Sequence, residues 1–201
     1  MISGLIRRTL WLAWLLAIAA LPAPSVHAQQ SPCGVAELMR RLHQVKSASG
    51  QFVERRTLEV LTEPLVASGT LIYVAPDQVQ KITISPKRER FALSGDTLTI
   101  EGGDEDRTRT MSLADNPEVG AFVEGIRATL AGDLPQLSRL YTVHLDGTAA
   151  DWQLSLQPVD PKLAQYIKSI RIAGSDNRIT SVETLEGNGD RSEMRVVEDV
   201  R

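Results

Sequence analysis

The stretch Gly69-Thr70-Leu71-Ile72-Tyr73-Val74-Ala75-Pro76-Asp77 decides the fold, because its alternation of apolar and polar residues into a Pro-Asp turn is repeated by everything that follows. Ile82-Thr83-Ile84 ends at Ser85-Pro86. Glu89, Phe91 and Leu93 share one strand face before Ser94-Gly95-Asp96, and Leu98 and Ile100 run up to Gly102-Gly103. A side-chain period of two, broken by a turn roughly every eight to twelve residues, is the mark of an antiparallel meander. Such a sheet buries one continuous apolar face. What covers that face, a packed core or a cargo, decides what the protein does.

On the N-terminal side, Val35, Leu38, Met39, Leu42 and Val45 fall at helical spacing, with Glu37, Arg40, Arg41 and Gln44 off the stripe. Gln51 to Leu61 begins the sheet, and Pro64 interrupts it before the next strand. On the C-terminal side the meander continues to Leu113. Asn116 as N-cap, Pro117 at the first helical position, Glu118 at the positive end of the dipole and Gly132 as terminator then bound a second helix. Its stripe is Val119, Phe122, Val123, Ile126 and Leu130, with short helical or turn structure from Leu134 to Leu137. Strands resume at Tyr141 to Leu145, Trp152 to Leu156, Ile167 to Ile172, Ile179 to Leu185 and Met194 to Val197, and one helical turn is expected over Lys162 to Gln165. About ten strands and two amphipathic helices, one inserted between the halves of the sheet, are too many for a flat two-sided sheet. The expected class is therefore α+β, mostly β: a curved antiparallel sheet or incomplete β-barrel with helices on its concave face.

The N-terminus carries an address. Arg7 and Arg8 form a basic region, Leu10 to Leu21 an uncharged apolar run too short for a confident membrane span, and Val26-His27-Ala28 a small-x-small cleavage site. Residues 1–28 read as a secretory signal cleaved after Ala28, with an uncleaved anchor as the alternative, and residues 29–201 as a single periplasmic domain. Cleavage removes two of the 22 basic residues and none of the 25 acidic ones, leaving a net charge of about −5. That balance argues against nucleic acid as a partner and against electrostatic adhesion to anionic lipid. Cys33 is the one cysteine, so an intramolecular disulfide is impossible; Gln30-Ser31-Pro32 before it is a poor acylation signal, and an intermolecular disulfide stays open.

Chemistry-bearing patterns are scarce. After cleavage the histidines are His43 and His144, neither with a cysteine or carboxylate at ligand spacing, so no metal site is expected. There is no Gly-x-Ser-x-Gly elbow and no catalytic residue to nominate. Gly102-Gly103-Asp104-Glu105 reads as an acidic hairpin turn, and Lys87-Arg88-Glu89-Arg90 as a solvated strand start or a docking patch for a membrane partner. The apolar positions are mostly Leu, Ile and Val, a composition that suits an acyl-chain cavity and an ordinary core equally well.

Gly50-Gln51-Phe52-Val53-Glu54, then Pro64-Leu65, then Ser68-Gly69-Thr70-Leu71-Ile72-Tyr73-Val74-Ala75-Pro76-Asp77, then Gly95-Asp96-Thr97-Leu98-Thr99-Ile100, resemble the opening of the periplasmic outer-membrane lipoprotein carriers, the LolA-like proteins. The order of elements fits over nearly the whole exported chain. Two departures mark a divergent branch: Glu54 stands where carriers commonly show Gln, and Gln78-Val79-Gln80-Lys81 follows the proline turn where they show an Arg-Trp-like pair. The resemblance implies an incomplete barrel with an apolar cavity under a helical lid. It also implies a non-enzymatic carrier without cofactor, which takes a lipoprotein or other lipophilic, acylated cargo from an inner-membrane donor to an outer-membrane acceptor as a monomer. The lid-locking arginine of such carriers has no match here; Lys81 is nearest by position, with a solvent-facing strand residue as its plainer reading.

With the resemblance, the expected cargo-binding residues are Phe52, Leu71, Tyr73, Ile82, Ile84, Phe91, Leu93, Leu98, Ile100, Phe122, Ile126, Trp152 and Leu154. A rival from another class is a periplasmic lipid-sensing or regulatory module that transports nothing. A sensor usually needs a second interaction domain, and the chain ends within residues of the last strand, which favours the carrier.

Overall fold

The computed structural model describes residues 34–102 and 108–198. The cleavage site, Cys33 and most of the acidic Gly102-Gly103-Asp104-Glu105 turn lie outside them. Among the described residues, eleven strands form one antiparallel sheet: β1 (Ser47–Thr57), β2 (Leu65–Val74), β3 (Gln78–Ser85), β4 (Glu89–Ser94), β5 (Thr97–Gly102), β6 (Arg109–Ser112), β7 (Tyr141–Thr148), β8 (Asp151–Pro158), β9 (Ile167–Ser175), β10 (Arg178–Glu186) and β11 (Arg191–Glu198). Their order is β6-β5-β4-β3-β2-β1-β11-β10-β9-β8-β7. The sheet is not closed. Its end strands β6 and β7 are consecutive in sequence, and the chain between them holds the helices α2 (Pro117–Ala131) and α3 (Leu134–Leu140); α1 (Val35–His43) precedes the sheet. The strand count of about ten becomes eleven because the short β6 completes the first meander.

Register places the inner face unambiguously. Gly50, Phe52 and Glu54 of β1 stand opposite Leu71, Gly69 and Ala67 of β2, and opposite Glu198, Val196 and Met194 of β11. Leu71 faces Lys81 of β3, which faces Phe91 of β4, which faces Ile100 of β5. On the other wing, Val182 of β10, Ile172 of β9, Leu154 of β8 and Leu145 of β7 share the same face.

One apolar cluster fills that second wing. Trp152, Leu154, Leu156, Ile170 and Ile172 of the sheet are at most 1% exposed and pack with Leu38, Met39 and Leu42 of α1, Ala128 of α2 and Leu137 of α3. A smaller cluster of Leu93, Leu98 and Leu113 lies at the other wing, with Val119 and Val123 of α2 against it; Ala121, Phe122 and Ile126 of the same helix pack on the first cluster. Eight strand spacings separate β5 from β8, about 38 Å in a flat sheet. A helix of 15 residues is only about 22 Å long. One helix touching both wings therefore requires the sheet to curl around it, so the helices sit on the concave face.

The expected helix ends hold in part. Gly132 ends α2 in the left-handed region at φ 67°, as a terminating glycine should. Asn116 does precede α2, but its side chain caps nothing and instead donates to the Ser112 carbonyl at 3.0 Å. The helical structure after Gly132 is a separate helix, α3, whose first turn is capped by the Asp133 carboxylate accepting from the Gln136 amide at 3.0 Å.

Candidate functional site: the concave face

α2 makes its closest approaches to α1, to α3 and to the Tyr141 ring through its small residues, while the expected apolar stripe packs on the two clusters. Gly125, Ala128 and Thr129 form its buried side, and a side chain at Gly125 would meet the Tyr141 ring at 2.7 Å. Tyr141 is 1% exposed; its hydroxyl donates to the Ala121 carbonyl at 3.0 Å, and burial pushes its phenol up to about 12. Further ties hold the C-terminal half. Arg127 donates to the Gly95 carbonyl in the β4–β5 turn at 2.8 Å and pairs with Glu124, and His43 Nδ1 hydrogen-bonds to the Ala131 carbonyl at 2.9 Å. Val119, Phe122, Val123 and Ile126 pack on the two clusters and are half-buried. The sheet positions that pack around the smaller cluster, Val79, Phe91, Ile100 and Met111, are half-buried as well.

Of the expected cargo residues, the register brings Phe52, Leu71, Tyr73, Phe91, Leu93, Leu98, Ile100, Trp152 and Leu154 to one face, with Phe122 and Ile126 over it. Two expectations need correction. Ile82 and Ile84 alternate with Lys81 and Thr83, and it is Thr83 that is buried at 8% exposure while Ile84 is 63% exposed; both isoleucines lie on the outer face, because a period of two puts every second residue of β3 there. Trp152 and Leu154, though on the right face, are sealed inside the packed wing at 1% and 0% exposure. Phe52 and Tyr73 occupy the strip between the wings and are members of neither cluster as described.

That central strip is where sequence reasoning missed most. Lys81 is not solvent-facing: it points to the inner face and pairs with Glu54 across β2, with its ammonium 5.1 Å from the centre of the Phe52 ring. Ser192 donates to the other Glu54 oxygen at 2.7 Å. Burial alone would push Glu54 up, but the charge and hydrogen bond of Lys81, with the Ser192 bond and the more distant Arg56, hold its carboxyl below the ordinary 4.5. The two departures from the carrier pattern are thus the two halves of one ion pair. A signal for this was present: Glu54 and Lys81 are opposite charges on strand positions that share a face with the apolar Phe52 and Val79. Tyr73 adds a buried hydroxyl without a hydrogen-bond partner among the described residues; burial and the charge of Asp77 raise its pKa.

The lowered Glu54 carboxyl sets a pH dependence. An acid whose folded value lies below its unfolded one stabilises the fold above the unfolded value and loses that contribution as pH falls through the folded one. The stability advantage of the wild type over Glu54→Gln is expected to be full at neutral pH and to shrink below about 4.5. Urea unfolding of both proteins across that range checks it. Glu37, held at about 2 by its bonds to Arg40 and Arg41, retains its own acid dependence in both.

The outer face is chemically different. Arg90 bridges Glu101 at 3.0 Å and Gln80 at 3.1 Å, Arg171 lies 3.7 Å from Glu183, and exposed His144 sits 3.2 Å from Asp146, two residues along the same strand face. Among the described residues no group of three metal-ligating side chains occurs, and no helix is long and apolar enough to cross a membrane.

The protein is thus an open sheet curled round helices, with half-buried apolar positions on its concave face. Residues 27–197 match the pattern of the outer membrane lipoprotein carrier protein LolA-like family, and the chain belongs to that family. The family is of the binding and carrier kind and belongs to the cell envelope. No curated protein matches the sequence. Similar solved structures include a LolA superfamily protein from Nitrosomonas europaea, 10% identical, with a TM-score of 0.45 and 83% of this chain covering 93% of that one. Another is the Pseudomonas aeruginosa MucA/MucB complex, 14% identical, with a TM-score of 0.44 and 83% of this chain covering 57% of that one.

Proposed function

We propose that the exported chain is a periplasmic carrier that shelters a lipophilic, acylated cargo between α2 and the central strip of the sheet, and moves it from an inner-membrane donor toward an outer-membrane acceptor. One observation carries the reading. The large apolar side chains of α2 and the sheet positions around the smaller cluster are only half-buried, while α2 itself is anchored through small residues. Apolar area left partly in water costs about 25 cal/mol per Å², and a cargo chain recovers it at about 0.8 kcal/mol per methylene. Release needs only that a receptor bind the empty state better than the loaded one by a few kcal/mol.

The test is saturable binding of an environment-sensitive apolar dye, displaced by long-chain acyl compounds and not by short ones. Dye binding that no lipid competes would favour a packed core and an interaction-module role instead. The address is tested separately: intact-mass measurement of the periplasmic protein is expected to give a chain starting at Gln29 without a diacylglycerol adduct on Cys33, from the leader and the poor acylation signal. A retained leader or an acylated Cys33 would contradict a freely diffusing carrier.

A further inference from the structure

We propose that the concave face carries a headgroup subsite at Lys81, and that the cargo it takes is a single-chain amphiphile with a carboxylate head; this rests on the carrier reading above. The central strip is not uniformly apolar. Thr83 of β3, Glu54 of β1 and Thr184 of β10, each 8% exposed, and Ser192 of β11 form a polar band across the inner face, all toward the end of the sheet where β1 finishes and β11 begins. Toward the other end of the same face stand Val79, Leu93 and Leu98, under Val119 and Val123 of α2. Polar at one end and apolar at the other is the shape of an amphiphile site, with its orientation fixed.

The charges select the head. Both Glu54 oxygens are occupied, by Lys81 and Ser192, and the Glu54 side chain is 10% exposed against 26% for Lys81, so the ammonium is the end of the pair that an entering group meets first. Phe52 beneath it and Leu71 and Phe91 directly beside it on β2 and β4 leave that charge ringed by apolar surface, where a charge-assisted hydrogen bond is strengthened by poor screening. Arg56, on the same face and 45% exposed, is itself paired with Glu186 at 3.4 Å, so Lys81 is the cation that meets the head. Glu54 and Glu89 on this face, with Glu186 paired to Arg56, oppose a dianion. A monoanion satisfies both conditions, and a carboxylate is the monoanionic head that one lysine can hold while its chain continues past Leu71 and Phe91.

The experiment displaces the apolar dye with hexadecanoate, hexadecyl phosphate, hexadecanol and hexadecyltrimethylammonium, on the full exported chain and on Lys81→Met/Glu54→Gln. The double variant removes both charges together, so no carboxylate is stranded inside the fold. The wild type is expected to hold hexadecanoate about tenfold or more tighter than hexadecanol, the range of one charged hydrogen bond. The double variant is expected to lose that preference with its hexadecanol affinity unchanged. Equal binding of hexadecanoate and hexadecanol by the wild type, or a preference that survives in the double variant, overturns the subsite and leaves the carrier reading standing. Tighter binding of hexadecyl phosphate or of the cationic chain overturns the carboxylate assignment. No displacement by any of the four overturns the carrier reading itself.

Discussion

Trp152→Ala is expected to lower the unfolding free energy by about 3–5 kcal/mol, measured as a shift of the denaturant midpoint at unchanged slope. The ring is 1% exposed in the wing built by β7 to β10. Its cross-strand partners are glycines, Gly147 on β7 and Gly174 on β9, and a side chain at Gly174 would stand 2.3 Å from the indole. The backbone has been kept bare so that the indole can lie across it, and no neighbour can collapse into the space an alanine leaves. The indole nitrogen also donates to the Asp176 carbonyl at 3.2 Å, a bond the variant loses. Ligand affinity should stay within about twofold, a change worth only about 0.4 kcal/mol, because this wing is packed rather than open. A loss below about 2 kcal/mol, or a large loss of ligand binding without a loss of stability, would mean that this wing too is cargo space.

Much of this fold was legible because strand alternation and turn chemistry are local. The meander from Gln51, the helix from Pro117 to Ala131, the break at Pro158 and the 3₁₀ turn at Leu163–Gln165 all follow from residues within a few positions of one another. What was not legible depends on register and on which side of a helix meets its support. Ile82 and Ile84 looked like wall residues since they alternate with a polar residue, but Thr83 is the one that pairs with inward-facing Gly69. The apolar stripe of α2 does pack on the clusters, but the stripe did not reveal the second, small surface of Gly125, Ala128 and Thr129, against which Tyr141 fits. Lys81 and Glu54 are 27 residues apart and meet only because the β1–β2 and β2–β3 registers put them opposite Ala67 and Leu71, on either side of the bare Gly69. No spacing rule within one element could have found that pair.

Phe122→Ala is expected to cost appreciably less stability than Trp152→Ala, about 1–2 kcal/mol, while weakening apolar-ligand affinity several-fold. The cost is small because α2 does not depend on Phe122 for its place. Gly125 against the Tyr141 ring, the Tyr141 bond to Ala121, Arg127 on the Gly95 carbonyl and His43 on the Ala131 carbonyl all remain in the variant. What the variant removes is a half-buried ring packed at the edge of the larger cluster, on the helix proposed to cover the cargo. Ile126→Ala, one turn further along the same side, should behave alike with a smaller change in affinity, since fewer apolar atoms are lost. Denaturant midpoints and dye titrations on both variants separate the two roles of this helix. A loss of about 3–5 kcal/mol with unchanged binding would make Phe122 an ordinary core residue and α2 a structural plug rather than a cover over cargo.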